Sequence, residues 1–209
     1  MGGLMPGITS EQEAALRRLR PVLAPESYLA GGVAIALTLG HRYSRDLDIF
    51  VPVDFDAERL SERLQAEVLD VRMTGTAHST LHLEVSGVPT SILGYRYPLL
   101  HEPQHHAALG VRVASLEDLL CMKLSAIASR GLARDFWDLW ELLEHGVAAG
   151  SLSTALALYQ EKFASDDVGH VVRSLAYFDD AEAGPLPRGL NQNHWSQIRR
   201  SIEERVRSL

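Results

Sequence analysis

The sequence is poor in cysteine, in lysine and in long apolar runs. Cys121 is the single cysteine among 209 residues, which excludes a disulfide framework and a cysteine-based zinc site and favours a reducing compartment. The 20 basic residues are 18 arginines and two lysines, Lys123 and Lys162. No apolar run approaches the roughly 18 residues that a membrane-spanning helix needs. The opening segment MGGLMPG lacks the basic and apolar regions of a signal peptide. We therefore expect a cytoplasmic protein.

The negative charge of the chain is concentrated in one segment. With 27 acidic and 20 basic residues the net charge is −7, and residues 46–70 alone hold eight acids and two bases. The rest of the chain is nearly neutral. The charge therefore argues against a non-specific nucleic-acid binder but does not exclude a transient RNA substrate. An apolar fraction of 46% fits an ordinary globular chain with a core.

The hydrophobic pattern changes at about residue 110. Before it, strands are predicted at 28–30, 47–51, 80–85 and 89–97, and helices at 10–23, 33–39 and 56–68. After it, only helices are predicted, at 116–130, 134–145, 151–163, 167–178 and 193–208. The first helix is expected to start on Ser10, with Glu13 completing a capping box. We predict an α+β fold: a small mixed-sheet core over residues 1–110 and an α-helical lobe over 111–209 that completes an active-site cleft.

Two carboxylates, Asp46 and Asp48, stand at the start of the second predicted strand. Residues two apart on a strand point to the same face with Cα atoms about 6.5–7 Å apart, so the two charges repel each other at the end of a buried strand. Mg²⁺ would remove this cost, because it takes one or two protein carboxylates and completes its shell with water and phosphate oxygens. The alternative is that both carboxylates pair with Arg42 and Arg45 at a solvated strand end.

A double glycine, Gly31-Gly32, lies between the first predicted strand and a helix, fourteen residues before Asp46. Glycine lets the backbone approach phosphate oxygens, and the N-terminus of a helix offers unpaired N–H groups. Tight packing of the strand on the helix would explain the same glycines. In combination with the two acids, however, the double glycine predicts phosphate and metal sites side by side.

A second group of charged residues lies in the helical half. Lys123 falls on the apolar stripe of its predicted helix, where it either extends its ammonium to the surface or points at an anion. Asp135 and Asp138 are three residues apart on the next helix, where carboxylates also complement the helix dipole. Arg130 and Arg134 lie between Lys123 and these acids.

These motifs resemble those of the AbiEii/AbiGii-type nucleotidyltransferase toxins, in the DNA polymerase β-like superfamily. The resembling segments are GGVA, LGHRYSRDLDIFV, YPLL, KLSAIASRGLARDFWDL and YFDDAE, and they cover residues 28 to about 195. The resemblance implies a nucleotidyltransferase core with a helical C-terminal lobe. It implies Mg²⁺-dependent transfer of a nucleotide from an NTP, with tRNA as the expected acceptor. It also implies the toxin of a bacterial toxin–antitoxin or phage-defence pair, whose antitoxin is a DNA-binding repressor.

The resemblance implies roles for the matching residues of the N-terminal half. The backbone N–H groups of Gly31 and Gly32 would contact the NTP phosphates, and Ser44 would brace the loop before the metal-binding strand. Asp46 and Asp48 would be catalytic, as the Mg²⁺ ligands that bring the triphosphate and the acceptor hydroxyl together.

The resemblance also implies roles in the helical half. Lys123 would counter the charge of the triphosphate, and Asp135 would orient Lys123 or a substrate group. Arg130 and Arg134 would bind phosphate or the RNA backbone as bidentate donors.

Two positions depart from the family pattern. Val33 stands where many members have a hydroxyl residue after the double glycine, so one phosphate contact is absent. Ser91 stands at the expected place of the superfamily's third carboxylate, and Glu84 on the preceding strand is the nearest substitute. Without a third acid the chain could use a substrate group, bind one metal ion, or be weakly active.

Two other functions remain open. A catalytically weak or dead relative that binds a nucleotide or a partner protein would account for Val33 and Ser91. A small-molecule nucleotidyltransferase of the antibiotic-modifying kind would use the same core. Residues 188–209, with five arginines and two glutamates, favour a nucleic-acid acceptor, although an amphipathic helix with a solvated basic face has the same composition.

A group of histidines raises the question of a further metal site. His101, His105 and His106 lie close together in the sequence, but Pro103 breaks helical spacing and no cysteine or acidic pattern completes a ligand set. We interpret this segment as a polar loop.

Overall fold

A computed structural model describes residues 7–209 of the chain. The first six residues, which make up most of the segment considered for a signal peptide, lie outside the described residues. The chain divides into two compact units. Unit 1 comprises two segments, the chain up to Pro98 and Glu102–Ser115. Unit 2 comprises Leu99–His101 and Leu116–Leu209. Within residues 7–209, no helix is both long and apolar enough to cross a membrane.

In its described part, from residue 7 onward, unit 1 contains a mixed seven-stranded sheet and three helices. The strands are β1 Tyr28–Ala30, β2 Leu47–Val51, β3 Val71–Ala77, β4 Thr80–Val85, β5 Val88–Gly94, β6 Gln104–His106 and β7 Val111–Val113. They are arranged in the order β3-β4-β5-β2-β1-β7-β6, with the pairs β2–β5 and β1–β7 parallel and the others antiparallel. The helices are α1 Ser10–Leu19, α2 Gly31–Leu39 and α3 Ala57–Glu67.

The two faces of the sheet differ in burial. On β2, Leu47, Ile49 and Val51 are buried, whereas the alternate residues Asp48 and Phe50 are only half-buried. Successive side chains of a strand point to opposite faces, so this alternation marks a core face and a second face with access to solvent. Helices α1, α2 and α3 contact the strands of the sheet. We refer to the face that carries Asp48 and Phe50 as the open face.

Unit 2 is helical. It contains α4 Leu116–Ser129, α5 Ala133–Glu144, a 3₁₀ turn at Val147–Gly150, α6 Leu152–Phe163, α7 Gly169–Leu175, α8 Asp179–Glu182 and α9 Gln192–Arg207. Helix α4 contacts α5, α6 and α7. The core includes three buried aromatic rings, with Phe136 at a centroid distance of 4.9 Å from Phe178 and 6.0 Å from Trp195.

The observed fold confirms the α+β prediction, and the predicted strands at 28–30, 47–51 and 80–85 agree with the structure. Several features were predicted wrongly. Strands β3 and β7 were not predicted, and the segment 167–178, predicted as one helix, contains only α7, Gly169–Leu175. Helix α1 ends at Leu19, and its capping box joins Thr9 and Gln12 instead of Ser10 and Glu13. The predicted loop around His105 contains strand β6, which pairs with β7.

Candidate active site

The carboxylate of Asp48 lies against the start of α2. Strands β1 and β2 are antiparallel, with Ala30 opposite Asp48. The chain passes from β1 into α2 through Gly31, whose φ of +65° lies in the left-handed region that favours glycine. A Cβ atom on Gly31 would collide with Oδ2 of Asp48. Glycine is therefore required here both by the turn and by the neighbouring carboxylate.

Gly32 packs against side chains of the loop that precedes β2. A Cβ atom on Gly32 would lie 2.6 Å from Nη2 of Arg42 and 2.6 Å from Oγ of Ser44. The N-cap residue of α2, Ala30, makes no side-chain cap hydrogen bond. Val33, at the position where many family members carry a hydroxyl, is completely buried. The N-terminus of α2 is thus bordered by the hydroxyl of Ser44 and a guanidinium group, a favourable setting for an anion.

Asp46 and Asp48 have different surroundings. Asp46 is exposed in the bend before β2, and Asp48 is half-buried on the strand. Among the described residues, no three His, Cys, Asp or Glu side chains gather to hold one metal ion. Asp48 beside the N-terminus of α2, with Asp46 two residues before it, would suit Mg²⁺, which needs few protein ligands when phosphate oxygens and water complete its shell.

Ser91 and His82 continue the row of residues that starts at Asp48. Asp48 is opposite Ser91 on β5, and Ser91 is opposite His82 on β4, so all three side chains lie on the open face. Nδ1 of His82 is 3.1 Å from Oγ of Ser91. Glu84, considered as a substitute for the third carboxylate, accepts a hydrogen bond of 2.5 Å from Nη2 of Arg72. Its carboxylate is thus engaged in a cross-strand ion pair.

In unit 2, Lys123 is held between two buried carboxylates. Its Nζ is 2.9 Å from Oδ1 of Asp135 and 2.8 Å from Oδ2 of Asp138. Arg130 donates from Nε and Nη2 to the two oxygens of Asp135, at 2.9 and 3.0 Å. Lys123 therefore faces inward rather than extending to the surface, and Asp135 orients both cations. Arg134 is exposed.

The surroundings of Asp135 keep it ionised. Burial alone would raise the pKa of this carboxyl, but the hydrogen bonds from Arg130 and the charge of Lys123 outweigh burial and hold the pKa below its ordinary value. The two carboxylates and two cations of this cluster also cancel in formal charge. This lowers the free-energy cost of burying charge in the cluster of Lys123, Arg130, Asp135 and Asp138.

The second lysine is also buried against a carboxylate. Lys162 Nζ lies 2.6 Å from Oδ1 of Asp118, and both side chains are inaccessible to solvent. Asp118 also accepts the backbone N–H groups of Leu100 and His101, at 3.0 and 3.1 Å. Burial raises the pKa of Cys121, on the same helix, to about 12, so this thiol is not a nucleophile at neutral pH.

The basic residues near the end of the chain are largely balanced by acids. Three of the five arginines in 188–209 form ion pairs: Arg199 with Glu182 and Glu203, Arg205 with Glu144, and Arg207 with Glu203. These contacts favour the interpretation of α9 as an amphipathic helix with a solvated face. The composition of this segment is therefore weak evidence for a nucleic-acid partner.

Comparison with known proteins assigns the family. The family model described as the nucleotidyl transferase AbiEii toxin of a Type IV TA system matches residues 14–98 and 69–208. The chain belongs to the AbiEii nucleotidyltransferase toxin family. It is also 36% identical over 181 residues to the uncharacterized protein aq_aa25 of Aquifex aeolicus, covering 85% of this chain and 86% of that protein.

Solved structures share the fold. MenT4, a nucleotidyltransferase toxin from Mycobacterium tuberculosis, has a TM-score of 0.64 at 18% identity, covering 95% of this chain and 82% of that chain. JHP933 from Helicobacter pylori has a TM-score of 0.51 at 19% identity, covering 95% of this chain and 97% of that chain. The AbiEii protein described here is thus a nucleotidyltransferase by family and has the fold of other nucleotidyltransferases.

Sequence reasoning missed Gln12, which supports the site of this AbiEii protein from α1. Its side chain is 2% exposed, and Nε2 donates to the backbone carbonyls of Ser44 at 2.8 Å and Arg45 at 3.2 Å. Its Oε1 accepts the N–H of Thr9 at 3.0 Å. The contact with Thr9 belongs to a capping pattern that can be recognised in the sequence. The contacts with Ser44 and Arg45 join residues more than thirty positions apart and have no local signature. Gln12 thus fixes the loop that leads into Asp46.

Replacement of Gln12 with glutamate should lower nucleotide transfer by the enzyme. The carboxylate of Gln12→Glu still accepts the N–H of Thr9 but has no donor for the two loop carbonyls. We expect the initial rate of transfer to fall about thirtyfold, which corresponds to about 2 kcal/mol for two lost hydrogen bonds of roughly 1 kcal/mol each. Thr9→Ala is the matched control, because it removes the cap and leaves the loop contacts. An equal fall in Thr9→Ala would contradict a role through the loop.

Proposed function

We propose that this AbiEii protein transfers a nucleotide from an NTP to an RNA acceptor, tRNA, with Mg²⁺ held by Asp46 and Asp48. The observation that carries the proposal is the meeting of three features at the N-terminus of α2. They are the backbone at Gly31 and Gly32, the hydroxyl of Ser44, and the carboxylate of Asp48 against Gly31. Phosphate-binding and metal-binding groups are adjacent there, as transfer of a nucleotidyl group requires.

The triphosphate is assigned to the N-terminus of α2. An anion at this position gains from the helix dipole and from first-turn N–H groups. Ser44 adds a hydroxyl donor, and Arg42 adds a guanidinium that matches phosphate geometry. Gly31 and Gly32 carry no side chains, so the carboxylate of Asp48 and the hydroxyl of Ser44 come close to the backbone there. These groups together replace the hydroxyl that is absent at Val33.

The metal ion is assigned to Asp46 and Asp48. Carboxylate oxygens are the donors that Mg²⁺ prefers, and the two residues come from the end of one loop and the start of one strand. When bound, the ion would neutralise charge on the triphosphate and make its α-phosphorus more electrophilic. The chain fixes Asp48 through the pairing of β2 with β1 and β5, and it supports the loop before Asp46 through Gln12.

Lys123 and Arg130 are assigned to anionic groups of the substrates. An ammonium has three N–H donors, and Asp135 and Asp138 accept two of those of Lys123. We assign the third donor to a substrate phosphate. Arg130 is half-exposed although it is anchored to Asp135, and we assign its guanidinium to a phosphate of the substrate as well.

Aromatic rings on the open face support a nucleotide ligand. Phe50 follows Asp48 by two residues on the same side of β2. Its ring lies 4.9 Å from that of Tyr95, which lies 5.3 Å from that of Tyr97, and Tyr97 is 55% exposed. Nucleobases stack on aromatic side chains with about 1–3 kcal/mol per base. A base beside the metal-binding carboxylates would therefore find a stacking surface.

The biological role that we propose is that of a toxin in a phage-defence pair. The family description, a toxin of a Type IV toxin–antitoxin system, supports the toxin role. We further propose a DNA-binding antitoxin encoded by an adjacent gene and a cytoplasmic location, where NTPs and tRNA are both present. An adjacent gene for a small DNA-binding repressor is the expected genomic arrangement.

The proposal is tested by a transfer assay. The purified protein is incubated with each labelled NTP, Mg²⁺ and total tRNA, with and without a chelator, beside an Asp46→Ala/Asp48→Ala variant. Label should appear on RNA with the wild-type protein and Mg²⁺. It should be absent with the chelator and with the double variant, whose folding is checked by circular dichroism.

Three outcomes would contradict parts of the proposal. Binding of NTP without transfer to any acceptor would favour a catalytically dead relative. Label on a small molecule and not on RNA would favour an antibiotic-modifying type of enzyme. Transfer that persists in the double variant would remove Asp46 and Asp48 from the mechanism.

A further inference from the structure

Aromatic rings of unit 1 follow one another from the open face to beyond the end of β2. The ring of Tyr28 lies 5.9 Å from that of Phe50, and the ring of Phe50 lies 4.9 Å from that of Tyr95. The ring of Tyr95 lies in turn 5.3 Å from that of Tyr97. We call these side chains the aromatic run. Tyr28 is 1% exposed and Tyr97 is 55% exposed, so the run is buried at one end and presents a ring to solvent at the other.

The aromatic run and the N-terminus of α2 lie on opposite sides of Asp48 along β2. Strands β1 and β2 are antiparallel, so α2, which follows β1 at Gly31, begins on the side of the loop that precedes β2. Phe50 follows Asp48 in the other direction, about 6.5–7 Å along the strand. Strand β5 is parallel to β2, so Tyr95 and Tyr97, which come after β5, continue in that direction. The order along the strand is therefore helix N-terminus, carboxylate, aromatic rings.

This order matches the geometry of an in-line transfer. The attacking and the leaving oxygen stand on opposite sides of the reacting phosphorus. The proposed function places the leaving pyrophosphate at the N-terminus of α2 and the reacting phosphorus at Asp48. The hydroxyl of the acceptor then approaches from the side of Phe50. The nucleoside of the NTP is attached to the phosphorus through a further oxygen, off this line, so the aromatic run faces the acceptor.

The segment that carries Tyr97 is tied to the end of β2. The N–H of Tyr95 donates to the carbonyl of Val51 at 2.7 Å. Nε of Arg96 donates to Oδ1 of Asp54, shortly after β2, at 2.7 Å. These contacts hold the ring of Tyr97 in place before any ligand binds, which lowers the entropy cost of stacking on it.

We propose that the aromatic run is the acceptor subsite, with the base of the acceptor nucleotide stacked on Tyr97. The inference rests on the proposed function, since it gives a place to the acceptor of that reaction. A ring recognises the π-face that every base has and does not read its hydrogen-bonding edge. Tyr97 therefore selects acceptors that carry a base next to the reacting hydroxyl, as RNA does, over sugars and amino alcohols that carry none.

The alternative role of Tyr97 is to cover Tyr95 and Phe50 from solvent. Single exposed apolar side chains are common on protein surfaces. A covering role predicts that loss of the ring lowers the melting temperature and leaves RNA binding unchanged. A stacking role predicts weaker binding of RNA with an unchanged KM for NTP, because the ring then contacts only one of the two substrates.

Tyr97→Ala, Tyr97→Phe and the control Tyr177→Ala are compared with the wild-type protein in the transfer assay, at varied concentrations of total tRNA and of NTP. Filter binding of labelled total tRNA without NTP gives the Kd. Loss of one stacked base weakens binding about 5- to 150-fold, so Tyr97→Ala should raise KM and Kd for tRNA at least about fivefold. Tyr97→Phe keeps the ring and should stay within about twofold of the wild-type protein. Tyr177→Ala removes a similarly exposed tyrosine of unit 2 and should change neither constant.

The outcomes separate this inference from the proposed function. If the wild-type protein labels RNA and Tyr97→Ala has the same KM and Kd for tRNA, the aromatic run is not the acceptor subsite, while the proposed function stands. A higher KM for NTP with unchanged tRNA binding would assign the ring to the base of the NTP and overturn the inference. If the wild-type protein labels no RNA, the proposed function itself fails, and equal Kd values for tRNA in the wild-type protein and Tyr97→Ala would then reject the subsite as well.

Discussion

Replacing Asp48 with asparagine should lower nucleotide transfer at least about 1000-fold. The two side chains have the same shape, so the substitution removes the negative charge and little else. Interactions of a metal with the reacting phosphate supply several kcal/mol of transition-state stabilisation, and each 1.4 kcal/mol is worth about tenfold in rate. The initial rate of label transfer at saturating Mg²⁺ and NTP measures the loss, with thermal unfolding as the test of folding.

A second variant tests the geometry of the same carboxylate without changing any charge. A Cβ atom at Gly31 would collide with Oδ2 of Asp48, and φ of +65° is unfavourable for alanine by about 1–2 kcal/mol. Gly31→Ala should therefore show a loss of transfer similar to that of Asp48→Asn. Asp54→Asn is the control, because Asp54 belongs to the same unit but pairs with Arg96, and it should leave the rate within about twofold.

The outcome for Asp48→Asn decides between the readings of the two carboxylates. If they were only a solvated strand end, the neutral variant would transfer as well as the wild-type protein. Retention of more than a tenth of the wild-type rate would contradict the metal role. A loss of transfer in Asp48→Asn together with normal activity in Gly31→Ala would support a role for the negative charge of Asp48. It would also show that the close packing of Gly31 against this carboxylate is not required for transfer.

The parts of the site that were predictable from the sequence are those encoded by short-range spacing. A glycine pair between a strand and a helix, followed by carboxylates two residues apart, indicates local geometry that does not depend on the rest of the fold. Gly31, Gly32 and Asp48 accordingly lie where the pattern indicated, at the junction of β1, α2 and β2. Ser44, which precedes β2 in the chain, also lies against Gly32.

The parts that were not predictable depend on tertiary register. His82 alternates with Leu81 and Leu83, which indicates only that it faces away from the core. The pairing of β5 with both β2 and β4 places His82 beside Ser91, and one strand further from Asp48 than Ser91 is. The role of Gln12 could likewise not be predicted, because a side chain that hydrogen-bonds to the backbone carbonyls of a distant loop has no sequence signature.

The strands that the sequence did not reveal are weakly patterned. Strand β3, Val71–Ala77, alternates half-buried and exposed residues as far as Thr76, but none of its residues is buried, so its apolar face is weaker than that of β4. Strands β6 and β7 have three residues each. Such segments are too short for a hydrophobic period to show, and their pairing with other strands is what makes them strands.

The charged residues of unit 2 show the same limit. The position of Lys123 on an apolar stripe indicated that it faces inward, as observed. Asp118, in the first turn of α4, has no sequence feature that marks it as a buried ion-pair partner. The structure instead buries it with Lys162, forty-four residues later. Both lysines of this arginine-rich chain are thus buried ion-pair partners, a use that the compact ammonium allows.

Lys162→Met should destabilise the protein by about 3–5 kcal/mol, because it leaves the Asp118 carboxylate buried without its counter-charge. A typical domain is stable by about 5–15 kcal/mol, so the loss is large. Chemical denaturation followed by circular dichroism measures it. Arg17→Met is the matched control. Arg17 pairs with Glu13 at 3.5 Å on the exposed side of α1, and surface pairs contribute about 0–1 kcal/mol.

The double variant Asp118→Asn/Lys162→Met separates the ion pair from its packing. Asparagine can still accept the N–H of Leu100 through its oxygen, while the N–H of His101 loses its partner. With neither charge left, the double variant should be more stable than Lys162→Met alone, and the coupling between the two sites should be about 1–3 kcal/mol. Additive losses would contradict this, and would mean that Lys162 stabilises the unit by filling space between helices rather than by neutralising Asp118.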